Sequence, residues 1–343
     1  MIFQQLFEPR SSTFTYVVSS GVGREALIID PVYEHVERYV DLCKHLDLRL
    51  VKAIDTHIHA DHVTGLGKLR DLTRCVTVMG EHSGAEVVSM RVREGDRIDV
   101  DGVSLDVLYT PGHTDDSYSF VMQDRVFTGD TLLIGGTGRT DFQNGDPAQA
   151  YDSLFNKLLK LPESTLVYPA HDYRGNTVST IARERAENPR LQVSSASEYA
   201  DIMNNLNLPN PKMMDVAVPA NRAVGLGPDA VPKDRRVDAD EAVSTASGRV
   251  FVDLREESER ARDGWIPGSL HAPYTHLADL ARGGGDVAAA LKDRPGDVVV
   301  YCAFGERSAV ALDILDELGV APVRHLTGGL PAWIRAGGDV HAG

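Results

Sequence analysis

Thr56-His57-Ile58-His59-Ala60-Asp61-His62 follows a strand-like run at 49–55 and places four potential metal ligands within six residues. Neutral imidazoles and a carboxylate at the mouth of one strand converge naturally on a cation. Such a density of them is costly in a protein that binds no metal. Further ligand types follow at later strand ends: His113 after Thr110-Pro-Gly, Asp130 after Phe127-Thr-Gly, and His171 after Tyr168-Pro-Ala. Chance supplies one such cluster easily. It rarely supplies the cluster plus three single ligands in loops of the same kind, so a metal site is expected.

The bulk properties fit around this motif. A chain of 343 residues predicts two domains, each large enough for its own core. Hydrophobic content of 42% and charged content of 25% are those of an ordinary globular protein. The net charge is −15 and the pI near 5.2, which argues against non-specific binding of nucleic acid or of anionic membrane. An anionic substrate therefore needs specific basic residues. No apolar stretch reaches the ~18 residues of a membrane span. The N-terminus lacks a basic segment followed by a long apolar one and reads as a first strand. Three cysteines, Cys43, Cys75 and Cys302, are an odd, low count that predicts a reducing compartment, with the cytoplasm the simplest placement.

Along the chain, strands are expected at 14–18 and 26–29, with a helix over 33–46. Residues 100–109 read as a hairpin around Asp101-Gly102, and 117–122 with 125–128 as a strand pair. Helices are expected at 147–161 and 181–187, with a strand at 165–168. From 204 to 237 the prolines Pro209, Pro211, Pro219, Pro228 and Pro232 punctuate a segment of little periodicity, read as a linker. A second α/β pattern follows, with strands at 249–254, 298–301 and 323–326 and helices at 305–318 and 330–335.

The Thr-His-Xaa-His-Xaa-Asp-His pattern, followed by His113, Asp130 and His171, resembles the metallo-β-lactamase superfamily over about residues 1–220. The resemblance implies an αββα sandwich with metal at one edge of its two sheets. Members include lactamases, glyoxalase II thioesterases, nucleases and persulfide dioxygenases, so it implies the fold better than the reaction. Gly138-Arg139-Thr140-Asp141-Phe142-Gln143, Pro169-Ala170-His171-Asp172-Tyr173 and Asn205-Leu-Asn-Leu-Pro209 are similar to the persulfide dioxygenase family. That family holds a single ferrous iron with two histidines and one aspartate, here His57, His113 and Asp130, so one Fe(II) per chain is implied. Three ligands on one face of an octahedral iron leave three positions open. His59, Asp61, His62 and His171 are retained in the family as groups that orient the ligands and bond bound water. The same residues, with a bridging Asp130, also complete the two-metal set of glyoxalase II, so a dinuclear zinc thioesterase stays open. Arg139, Tyr173 and Arg174 are the glutathione contacts that the resemblance and the loop positions imply. A pairing of Arg139 with Asp141 that braces the loop is the competing reading.

Cys302-Ala-Phe-Gly-Glu-Arg307 follows an apolar strand and opens a helix. A thiol there meets backbone N–H groups and the positive end of the helix dipole. The loop resembles the six-residue active-site loop of rhodanese sulfurtransferases. Asp253-Leu-Arg255, Ile266-Pro-Gly-Ser-Leu270 and Gly328-Gly-Leu-Pro-Ala-Trp333 look rhodanese-like as well, over about 238–340. Trp265 departs from the family's usual histidine. Cys302 is the implied nucleophile. Arg307 is expected to hold the sulfite end of thiosulfate or to brace the loop through Asp253 or Glu306. Cys43 and Cys75 are expected to be structural, and His35, His45, His82, His276 and His341 lie outside any ligand pattern.

The expected architecture is a two-domain α/β protein: a metallo-β-lactamase αββα sandwich over 1–222, a linker over 223–237, and a rhodanese α/β domain with a parallel sheet over 238–343. The implied small molecules are glutathione persulfide, glutathione, thiosulfate, sulfite and dioxygen. A homodimer is one state the sequence allows. A sulfur-carrier or sensor module, in which Cys302 hands sulfur to a protein, is the alternative of a different class.

Overall fold

The computed structural model describes residues 1–227, 230–320 and 322–342; Pro228 of the expected linker lies outside them. The chain divides into two compact units. One takes in residues 1–86 and 91–224, the other 87–90 and 225–343.

The first unit carries two six-stranded sheets. One runs Ile2–Glu8, Thr13–Ser19, Glu25–Ile29, Arg49–Ile54, Val76–Gly80 and Met90–Val92. The other runs Ser179–Thr180, Leu166–Pro169, Arg125–Gly129, Tyr118–Val121, Val103–Tyr109 and Arg97–Val100. Thr13–Ser19 is buried along its whole length, as a strand covered on both faces must be. Phe3 and Tyr16 of the first sheet pack on Phe127 and Tyr168 of the second, and the Tyr16 hydroxyl donates to Pro169 O at 2.6 Å. This aromatic cluster joins the sheets face to face. The expected hairpin forms between Arg97–Val100 and Val103–Tyr109, with Asp101 and Gly102 both at positive φ.

The expected helix at 147–161 is broken into a short α-helix, Pro147–Asp152, a π turn, Ser153–Lys157, and a 3₁₀ turn, Leu158–Lys160. Asp146 caps it through the amides of Ala148 and Gln149. The cause of the break is local. Ser153 Oγ donates to Pro111 O at 2.7 Å, and Gly112 lies so close that a Cβ there would stand 2.2 Å from Ala150 N. The helix thus clamps the turn that presents His113, and a π turn at such a place is characteristic.

The 204–237 segment differs from expectation. It contains a helix, Met214–Arg222, with Pro219 inside it. Its apolar residues run together at 216–220 with a proline among them, and the two fully buried positions are Ala217 and Asn221.

The second unit is a five-stranded parallel sheet ordered Arg236–Val237, Arg324–Leu326, Val298–Tyr301, Val250–Asp253, Leu270–His271. Val298–Tyr301 is buried at every residue, the mark of a parallel strand covered on both faces. Phe251, Tyr301, Leu326 and Trp333 form its core. Trp265 exchanges backbone bonds with His341 and carries the Arg260 guanidinium 4.9 Å over its ring.

Candidate metal centre and cysteine loop

The three expected ligands and the orienting residue His171 each leave the C-terminal end of a strand: His57 after Arg49–Ile54, His113 after Val103–Tyr109, Asp130 after Arg125–Gly129, and His171 after Leu166–Pro169. His57, His113 and Asp130 present ligand atoms that all lie within 4.8 Å of one another. His113 Nε2 is 3.5 Å from Asp130 Oδ2. Ligands at right angles, ~2.1 Å from a metal, are about 3 Å apart, so the group needs little closing to hold an ion.

The supporting bonds set the tautomers. Thr56 donates from Oγ1 to Asp30 Oδ2 at 3.1 Å, so it accepts from His57 Nδ1 at 2.9 Å. His113 Nδ1 donates to Arg139 O at 2.7 Å. Both histidines therefore keep Nε2 as a lone pair for a cation. Burial, then His59, holds His57 well below the usual imidazole range, so it is neutral. For Asp130 burial acts upward, but His171, His113 and His57 outweigh it and hold the carboxyl well below its usual range. The donor set is the neutral His57 imidazole, the His113 imidazole and the Asp130 carboxylate, which fits ferrous iron.

His171 sits beside the triad and differs from it. Its Nδ1 is 2.7 Å from Asp130 Oδ1 and its Nε2 is 2.8 Å from Asp61 Oδ2. Burial disfavours its cation, but the two carboxylates outweigh burial and raise its pKa well above the usual value. His59, Asp61 and His62 form a second cluster. His59 Nε2 bonds Asp30 at 3.1 Å and His62 Nδ1 bonds Asp61 at 3.0 Å, while His59 Nδ1 and His62 Nε2 are buried without a hydrogen-bond partner.

Two glycines carry the site's close approaches. Gly129, at φ +52°, would place a Cβ 2.8 Å from Thr56 Oγ1. A Cβ on Gly138 would stand 2.3 Å from Asp130 O and 2.7 Å from His113 Nδ1. Several supporting residues escaped the sequence reading. Asn221, fully buried, donates to His59 O and His62 O and accepts from Thr64 N, each at 2.8–2.9 Å. Asp116 accepts from Ile58 N, and Gln143 donates to Ile58 O. A single Asn in a proline-rich stretch gives no signal; Asp30, ending an apolar strand, resembles the metal-loop acids and was the one findable by pattern.

The expected glutathione contacts are placed differently from one another. The Arg139 guanidinium is engaged by Asp141 through both oxygens and by the carbonyls of Leu208 and Pro209. It also lies 4.8 Å from the Phe142 ring centroid, and Phe142 packs edge-on against His113. A carboxylate ligand would have to displace Asp141. Tyr173 is exposed and its ring stacks over His171. Arg174 is exposed, with its backbone amide on Asp172.

In the second unit, Cys302 directly follows Val298–Tyr301 and its loop feeds Glu306–Glu317. Gly305, at φ +94°, turns its N–H onto Cys302 Sγ at 3.2 Å. Gly329 closes the loop: a Cβ there would stand 2.4 Å from Cys302 O. Arg307 pairs with neither Asp253 nor Glu306. Its Nη1 and Nη2 each meet a Glu259 oxygen at 2.6 Å, and Nε is buried without a partner. Asp253 is instead engaged by Arg255 and by the Tyr301 hydroxyl. Glu306 turns its carboxylate away from the sulfur, accepting from Ser89 Oγ and Leu226 N.

The metallo-beta-lactamase superfamily matches residues 9–171 and the rhodanese-like domain residues 237–336. The chain is 47% identical over 229 residues to the mitochondrial persulfide dioxygenase ETHE1 of Homo sapiens, covering 66% of this chain and 89% of that protein. The crystal structure of ETHE1 from Myxococcus xanthus is 52% identical with a TM-score of 0.64, covering 65% of this chain and 99% of that one. The hydroxyacylglutathione hydrolase of Idiomarina loihiensis is 31% identical over 216 residues, covering 62% of this chain and 82% of that protein.

Proposed function

Because the chain belongs to the persulfide dioxygenase family of the metallo-β-lactamase superfamily and carries a rhodanese-like domain, we propose a coupled pair of sulfur reactions. The first unit oxidises glutathione persulfide with dioxygen, and both oxygen atoms end on the terminal sulfur. Water then releases glutathione and sulfite. The second unit moves sulfane sulfur between thiosulfate and glutathione. Joining the units raises the local concentration of the shared persulfide.

One observation carries the dioxygenase reading over a hydrolase. The chain is 47% identical over 229 residues to a persulfide dioxygenase, against 31% over 216 residues to a hydroxyacylglutathione hydrolase. His57, His113 and Asp130 would hold a single ferrous iron, which when bound supplies the one-electron chemistry that dioxygen requires. Thr56 and the Arg139 carbonyl keep the two imidazoles turned inward. The protonated His171 balances Asp130 and Asp61, so an anionic persulfide meets less repulsion. Arg174 and Tyr173 stand on the rim as the exposed groups suited to a glutathione carboxylate and backbone, and Arg139 acts as the brace of the loop.

In the second unit Cys302 is the nucleophile. The Gly305 amide steadies its sulfur. The unpartnered Arg307 Nε–H supports a role in holding the sulfite end of thiosulfate.

A second reading has its own support: the unpartnered His59 Nδ1 and His62 Nε2 beside Asp61 would suit a second cation, as in a dinuclear thioesterase. Metal content of anaerobically purified protein, with oxygen consumption on adding glutathione persulfide, separates the two. About one iron per chain with prompt uptake and sulfite formation is expected. Two zinc and no uptake would move the assignment to the hydrolase. The three cysteines, none in a disulfide, support a reducing compartment, and we place the chain in the cytoplasm. No described helix is long and apolar enough to cross a membrane.

A further inference from the structure

We propose that Ser308 and His325 form a hydrogen-bond relay that stabilises the Cys302 sulfur each time it leaves as a thiolate, Ser308 as the group that touches the sulfur and His325 as the positioning residue behind it. The inference rests on the sulfurtransferase reading of Cys302.

Ser308 stands in the first turn of Glu306–Glu317, and its Oγ lies 3.7 Å from Cys302 Sγ. The same Oγ donates to Gly305 O at 3.0 Å and lies 3.3 Å from His325 Nδ1. A serine hydroxyl offers one donor and two acceptor sites. Its proton is engaged by Gly305 O, so the His325 bond requires Nδ1 to donate. The thiol proton of Cys302 fills the other acceptor site. All three groups, Cys302, Ser308 and His325, are buried, so no water replaces a missing partner. His325 comes from Arg324–Leu326, the strand beside the one that Cys302 directly follows.

The arrangement changes in one definite way when the thiol proton is lost. The Ser308 hydroxyl turns from Gly305 O to the thiolate and donates to it, beside the Gly305 amide. His325, which also faces the Gly305 carbonyl, keeps Oγ in place from behind. Burial, then Arg236 and more weakly Arg235, push the His325 pKa down to about 4. The imidazole is therefore neutral during turnover and carries a single N–H, as the relay needs.

The chemistry balances without an outside oxidant. The Cys302 thiolate attacks the outer sulfur of thiosulfate, forming one S–S bond and breaking another, and sulfite leaves with the electron pair. A glutathione thiolate then attacks the outer sulfur of the Cys302 persulfide. A new S–S bond forms on glutathione, and Cys302 departs as thiolate with the pair from the broken bond. Ser308 acts at that departure.

The test uses the full chain in single turnover. Cys302 is charged with thiosulfate, the added sulfur is confirmed by intact mass, and discharge to glutathione is timed. Ser308→Ala is expected to slow discharge roughly tenfold to a hundredfold, the worth of one hydrogen bond to a charged group, with kcat/KM for thiosulfate, which reports charging, changed far less. Ser308→Thr, which keeps the hydroxyl, retains most of the rate. His325→Leu slows discharge several-fold, and His325→Asn, whose amide N–H reaches the same place, restores it. Tryptophan emission confirms folding of each variant. Discharge at the wild-type rate in Ser308→Ala, or equal slowing by His325→Asn and His325→Leu, overturns the relay while leaving Cys302 as nucleophile. A wild-type chain that takes no sulfur onto Cys302 overturns the sulfurtransferase reading and the relay with it.

Discussion

Replacing Arg307 with methionine should destabilise the second unit by roughly 3–5 kcal/mol. The figure follows from what the side chain leaves behind. Arg307 meets both oxygens of Glu259 at 2.6 Å, and the two side chains are 1% and 2% exposed. Without the guanidinium, Glu259 keeps one nearby donor, the Glu256 amide at 2.9 Å. A buried carboxylate with so little compensation costs several kcal/mol. An exposed pair gives the contrast: Arg183 and Glu187 are 51% and 68% exposed, and losing that pair should cost about 0.3–0.5 kcal/mol. Total stabilities run about 5–15 kcal/mol, so Arg307→Met removes a large part. The assay is urea unfolding followed by tryptophan emission. Both tryptophans, Trp265 and Trp333, lie in the second unit, so the signal reads that unit alone. With a urea slope of roughly 2 kcal/mol per molar, the midpoint should fall by about 2 M. Arg307→Met/Glu259→Leu should recover much of the loss, because no charge is then stranded. A midpoint shift no larger than that of Arg183→Met, or a double variant as unstable as the two single losses summed, would refute the reasoning.

Further outcomes follow from the geometry. Gly138→Ala should abolish most iron retention, measured as iron per chain, although every ligand remains, because its Cβ meets Asp130 O and the His113 ring. Arg174→Ala should raise KM for glutathione persulfide roughly tenfold, the worth of one charged hydrogen bond, whereas Arg139→Ala should lower iron retention with KM little changed; steady-state oxygen uptake and metal analysis separate them. The buried, neutral His325 makes stability pH-dependent. Its folded pKa lies near 4, below the ~6.5 of an unfolded histidine, so the unfolded chain binds more protons in that window. Stability should therefore fall as pH drops below about 6.5, by about 2 kcal/mol at pH 5 and about 3 kcal/mol in full. His325→Asn should flatten that slope in urea midpoints measured at pH 7 and pH 5.

Ligand types with fixed spacing at strand ends survive in the sequence because each is a side chain with one plausible duty. For that reason the convergence of His57, His113 and Asp130 was legible, as were the strands before them and the place of the Cys302 loop between strand and helix. The helix Met214–Arg222 was not: its buried positions are an alanine and an asparagine, and Pro219 reads as a breaker. Arg307 shows a second limit. Its place in the loop was clear, but its partner, Glu259, lies 48 residues away on a helix where it looks like a first-turn capping residue. The broken helix at 147–161 shows a third, since a serine reaching a distant carbonyl leaves no period behind.

The two imidazoles of the triad receive their orientation by different means. His57 depends on one hydroxyl, Thr56 Oγ1, and a single base change can delete it. His113 depends on a main-chain carbonyl, at Arg139, which every amino acid possesses. No substitution at 139 removes that acceptor; a change there can only shift it. One half of the site is thus written in side chains and open to direct mutation. The other half is written in the path of the backbone, and only changes that bend the path, such as one at Gly138, reach it.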